Sequence, residues 1–214
     1  MHHRRCHLHA VSHHPAYTAV ALLSLFAVLL APPSALAQRA KKGGAPGDSL
    51  HTVVLDAGEQ HLDSIPAGVL TRTDLVSLTF IGTDCDYRVI DSAGHDITKC
   101  RMLHEIPLAI ASMADLEVLN LPLNGIRSIP PELVKLRHLR ELELDDNAAL
   151  ENVDAIAGMA SLETLGLCGC GISRLPADLS ALGHLRRLCL KGNPIGRPEL
   201  ARIRRALPYC RIVF

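Results

Sequence analysis

The sequence predicts an α/β solenoid: short repeated coils stacked into a curved right-handed pile, with one parallel sheet along the concave face. Three observations predict it. Leu116, Leu139, Leu162 and Leu185 each open a segment L-x-x-L-x-L ("LEVLNL", "LRELEL", "LETLGL", "LRRLCL"), at a constant interval of 23 residues. Three residues past each segment stands Asn124, Asn147, Cys170 or Asn193, followed shortly by Ile126, Leu150, Ile172 or Ile195. An Ile/Leu-Pro step comes next, in "IPPEL" at Ile129 and "LPADL" at Leu175. A fixed period over four units outranks any local motif. Each unit is one supersecondary element that cannot bury its apolar face alone, whereas stacked units bury it continuously.

The spacing justifies each element in turn. The last two leucines of L-x-x-L-x-L alternate as on a strand and point to one interior. Asn at the following bend satisfies backbone groups with both its carbonyl and its amide. Cys170 fills the same inward site as a small buried residue. Proline fixes φ near −65° and removes a donor, which suits the turn onto the convex side. Two weaker units come first. "LHTVVL" at Leu50 runs on to "LDSIPAGVL", and "LVSLTF" at Leu75 is followed by an insertion and then "LHEIPLAI". "VDAIA" at Val153 lacks the proline. "RPELARIRRAL", Arg197 to Leu207, predicts a terminal helix with Leu200, Ile203 and Leu207 on one face, arginines on the other and Pro198 in its first turn. "LPYCRI" from Leu207 reads as a closing half-unit, with Cys210 at the second leucine position and hence in the core.

These residues resemble the leucine-rich repeat proteins. The matching pattern is L-x-x-L-x-L-x-x-N/C-x-L followed by x-x-[IL]-P-x-x-L. The 23-residue length and the Ile/Leu-Pro step are most similar to the Ras-suppressor-like and plant intracellular type. The resemblance implies a non-catalytic module that binds a protein or peptide through the concave face. It also implies an intracellular signalling scaffold as the alternative if the leader is retained.

The ends are organised differently. Residues 1–37 read as a secretory signal peptide: a basic start with Arg4 and Arg5, the apolar run Ala19 to Ala31, and Ala35-Leu36-Ala37 as the cleavage site. The run falls short of the ~20 residues a membrane-crossing helix needs. The membrane is thus met only in transit, and the expected location is periplasmic or secreted. Six histidines in this leader are lost with it. Residues 38–49, rich in Gly, Pro, Lys and Ser, read as a flexible linker, and 50–214 as the repeat domain with a capping segment at 197–214. Aromatic residues are 3% of the chain and Trp is absent, so the core is expected to be built from leucine. A formal net charge of zero gives no argument for nucleic acid.

The cysteines divide by position. Cys85 and Cys100 flank "DYRVIDSAGHDITK", an insertion at about 83–102 whose Asp91-Ser92-Ala93-Gly94 has type I turn chemistry. A β-hairpin there brings the two near each other. In an exported protein they are the candidate disulfide, with two free thiols as the other reading. Cys168 and Cys170 are set apart by the strand pleat and the bend, so no shared metal site is expected of them. Cys189, between Leu188 and Leu190, faces outward without an obvious partner.

The concave face carries the functional expectation. Its middle column is Val54, Thr79, Asn120, Glu143, Gly166 and Cys189. The column before it is Thr52, Ser77, Val118, Glu141, Thr164 and Arg187, and the column after it Asp56, Ile81, Pro122, Asp145, Cys168 and Lys191. Glu141, Glu143, Asp145 and Asp146 make an acidic patch, and Arg186, Arg187 and Lys191 a basic one two repeats on, roughly 10 Å away at ~4.8 Å per strand. Val118, Asn120, Glu141, Glu143, Asp145, Thr164, Arg187, Cys189 and Lys191 are therefore the expected partner-binding residues. Catalytic residues, cofactors, metals, nucleic acid and small-molecule substrates are not expected. The remaining histidines are scattered, and Glu141 with Glu143 pairs two carboxylates without a pocket. The other reading is a structural or envelope-associated protein that makes its contact through the hairpin insertion.

Overall fold

The computed structural model describes residues 51–83, 92 and 101–214, which lie in a unit spanning Ala45–Phe214. Seven strands form one sheet in chain order: β1 Thr52–Asp56, β2 Ser77–Ile81, β3 Val118–Asn120, β4 Glu141–Glu143, β5 Thr164–Gly166, β6 Arg187–Cys189 and β7 Arg211–Val213. Every neighbouring pair is parallel. Sequential parallel neighbours require each chain segment to return across the back of the sheet, which is the coil of a solenoid. The 23-residue period sets the register. Leu119, Leu142, Leu165 and Leu188 lie side by side in one row, continued by Leu78 on one flank and Ile212 on the other.

The leucines form a continuous core. Leu116, Leu119, Leu121, Leu139, Leu142, Leu144, Leu162, Leu165, Leu167, Leu185, Leu188 and Leu190 are all buried. At about 1.5–3 kcal/mol for each fully buried leucine side chain, this stripe is the largest stabilising contribution in the fold. The return segments are tight 3-10 turns at Leu108–Ser112, Pro131–Lys135, Asp154–Gly158 and Ser180–Leu182, each placing one apolar side chain, Ile110, Leu133, Ile156 or Leu182, in the core. Pro107 and Pro130 precede the first two. Where proline is absent, the Asn152 side chain accepts the Asp154 N–H at 2.8 Å and holds the turn instead. A four-residue helix, α1 Ala67–Leu70, follows Pro66 in the first coil.

Asparagine closes three of the coils. Asn147 is fully buried; its amide donates to Leu121 O and Leu144 O at 2.9 and 2.8 Å, and its Oδ1 accepts the Ile126 N–H at 3.1 Å. Asn124 does the same for Phe80 O, Pro122 O and Leu103 N–H, and Asn193 for Leu167 O, Leu190 O and Ile172 N–H. Cys170 takes this place in its coil and donates its thiol to Leu144 O at 3.1 Å.

The last coil departs from expectation. Cys210 is half-buried, and Ile212, not Cys210, pairs with Leu188 in the inward row. The reason is the helix before it. α2, Arg197–Ala206, buries Ile203, and Leu207 closes it as a buried C-cap, so the chain turns once more before entering β7. Arg202 of α2 is not a solvated charge. It pairs with Glu199 at 2.7 Å and donates to the carbonyls of Leu175, Pro176 and Ala177, tying the helix to the preceding turn. The bounds of the insertion are seen only at its base, where Thr83 N donates to Arg101 O at 2.9 Å and Arg101 N to Thr83 Oγ1 at 2.7 Å. The hairpin, Cys85, Cys100, the leader and the linker lie outside the described residues.

Candidate functional site

With the leucines turned inward, the intervening residues of each strand stand on the opposite face of the sheet. The register sets Val54, Thr79, Asn120, Glu143, Gly166 and Cys189 in one row, and Thr52, Ser77, Val118, Glu141, Thr164 and Arg187 in the row before it. Just beyond the strands the ladder continues, with Asp146 N donating to Cys168 O at 2.7 Å and Gly169 N to Lys191 O at 2.8 Å. Asp145, Cys168 and Lys191 thus follow one another in the third row. Glu141, Glu143 and Asp145 are half-buried, while Arg187 and Lys191 are exposed.

Glu143 is the most perturbed of these groups. Its carboxylate bends over Gly166, where an added Cβ would lie 2.6 Å from Glu143 Cδ and 2.8 Å from Asp145 Oδ1. Gly166 is needed there for space, since the acid fills the place of a side chain. Burial, then repulsion from Asp145 and Glu141, raises the Glu143 carboxyl to about 7, with Arg187 pulling the other way. Burial also raises Asp145, opposed by the Cys168 N–H that Asp145 Oδ1 accepts at 2.8 Å. In the same row Asn120 Oδ1 is buried without a hydrogen-bond partner. Two groups on this face therefore have unmet electrostatic needs, an acceptor and a crowded acid.

Cys168 and Cys189 correct the expectation that Cys189 lacks a partner. They form a disulfide across consecutive coils, with Cα atoms 5.3 Å apart and a sequence separation of 21. Cys189 lies beside Gly166 and Cys168 two residues further along, so the bond runs diagonally on the outward face. The signal was available in the alignment. Two outward columns one repeat apart both hold cysteine, and adjacent strands make such positions neighbours. Cys170 points inward, and burial pushes its thiol up to about 12, which suits a packing role.

A second regularity escapes a leucine-based reading. The residues just before β3 to β6 alternate in sign, and Arg140 lies between Glu117 at 4.0 Å and Glu163 at 3.4 Å, with Arg186 3.5 Å from Glu163. Arg140 and Arg186 are exposed and Glu117 and Glu163 half-buried, so each pair contributes at most about 1 kcal/mol. Beside this row an open groove of about 400 Å³ is lined by His51, Asp74, Val76, Asp115, Glu117 and His138. Neither Glu141 nor Glu143 lines it.

Among the described residues no helix is long and apolar enough to cross a membrane. The leucine-rich repeat family model matches residues 114–172. No curated protein matches the sequence. Among solved structures, a leucine-rich repeat protein of Leptospira interrogans is 28% identical over 71% of this chain and 34% of its own, with a TM-score of 0.58. An internalin of Listeria monocytogenes is 20% identical over 71% of this chain and 38% of its own, with a TM-score of 0.50. The leucine-rich repeat domain of a type III effector is 23% identical over 71% of this chain and 57% of its own, at a TM-score of 0.50. The latter two agree in fold. The chain spans about a third of the length of the first two.

Proposed function

We propose that this chain, a leucine-rich repeat protein by sequence match and by fold, is a non-catalytic module that binds a protein or peptide on the outward face of its sheet. The observation that carries the reading is the row Asn120–Glu143–Gly166, which joins a buried acceptor without a partner to a crowded carboxyl without an ion pair among the described residues. Donors from a partner, an amide N–H or a basic side chain, would relieve both. Basic Arg187 and Lys191 flank Cys189, two residues before and two after it, so the face offers a partner both signs of charge and fixes its orientation. The leader supports an exported setting for the encounter.

Affinity capture tests this. Protein starting at Gln38 is compared with the Glu143→Lys, Asp145→Lys double variant, after circular dichroism shows both folded. A partner held by the first and released by the second supports the reading. Equal capture by both contradicts it and favours contact through the insertion at 83–102.

A further inference from the structure

We propose that Cys168 and Cys189, once reduced, form with Asp145 a binding site for a thiophilic divalent cation of the zinc class on the outward face of the sheet. The two sulfurs and a carboxylate oxygen of Asp145 all lie within 4.8 Å of one another. The donors come from three consecutive coils, so the stacking itself assembles them. Two thiolates and a carboxylate are a donor set that zinc accepts, and three protein ligands leave a fourth position. Glu143 is the neighbouring carboxylate, sharing the space over Gly166 with Asp145 Oδ1. All three donors are half-buried, which desolvates the ion in part and leaves it a path of entry.

The chemistry balances with a dithiol reductant. The disulfide and the dithiol exchange, so that the S–S bond breaks, two cysteine thiols form, and the reductant closes into its own disulfide. The cation then displaces one proton from each cysteine thiol, two in all, and binds two thiolates. Disulfide and cation are alternative occupants of one place. The oxidised face presents a covalent sulfur–sulfur bond at this point and the loaded face a thiolate-ligated ion, so redox state sets what the face presents.

Cobalt(II) is the probe, because thiolate ligation gives it a near-ultraviolet charge-transfer band. The full chain is reduced, freed of metal and reductant by gel filtration under inert gas, and titrated with Co²⁺. The expected result is a band saturating at one equivalent, absent from oxidised protein and displaced by Zn²⁺. It is lost in Cys168→Ser plus Cys189→Ser, kept in Cys170→Ser, Cys210→Ser and Cys85→Ser plus Cys100→Ser, and weakened tenfold or more in affinity by Asp145→Asn. A reduced native chain with unchanged circular dichroism and no band would overturn the proposal. So would a band that survives removal of Cys168 and Cys189. Partner capture plays no part in either outcome.

Discussion

At the scale of single residues, the largest effects belong to buried polar groups that the backbone depends on. Asn147 satisfies one backbone donor and two acceptors from full burial. Asn147→Ala leaves them unpaired in the core, and a loss of about 2–4 kcal/mol in urea denaturation is expected. Glu143 makes the opposite prediction. Its carboxyl rises from an ordinary 4.5 to about 7, so the folded chain holds this proton more tightly than the unfolded one. That favours folding at low pH, and the advantage disappears as pH climbs from 4.5 through 7. Glu143→Gln is neutral throughout. It should melt above the native chain at pH 8 and level with it at pH 4, and a variant less stable at pH 8 would contradict the burial argument.

Among elements, the bond between consecutive coils is the one with a measurable signature of its own. It closes a loop across 21 residues, for which loop-closure entropy gives about 3 kcal/mol. Cys189→Ser should lower the urea midpoint of oxidised protein accordingly and, in a Cys85→Ser plus Cys100→Ser background, remove its response to reductant. The sequence made the strands legible because alternating leucines report both a strand and its buried side, and the period then fixed which residues are neighbours. It made β7 only half legible. "LPYCRI" satisfies the leucine spacing, but α2 claims Leu207 for its own end, so the pattern is displaced and Ile212 takes the inward row. The convex turns were legible where proline marks them. In the coil at Val153 the same turn depends on an asparagine side chain that carries no period. Glu143 folding over Gly166 was not legible at all, because side-chain direction on an exposed face follows local space and charge.

For the described repeat unit as a whole, stability is spread along the stack, since each coil contacts chiefly its neighbours. Function then depends on register. Asn120, Glu143, Gly166 and Cys189 make a single surface only if β3 to β6 lie parallel at the 23-residue offset. Peptide mapping of protein treated with oxidised glutathione, and unfolded without reductant, tests that offset directly. Trypsin cutting at Arg140, Arg174, Arg187 and Lys191 puts Cys168 in the segment 141–174 and Cys189 in 188–191. The predicted product joins these two peptides through Cys168, with Cys170 free. Cys168 joined to Cys170 or Cys210, or Cys168 and Cys189 both left as thiols, would contradict the register and the face built upon it.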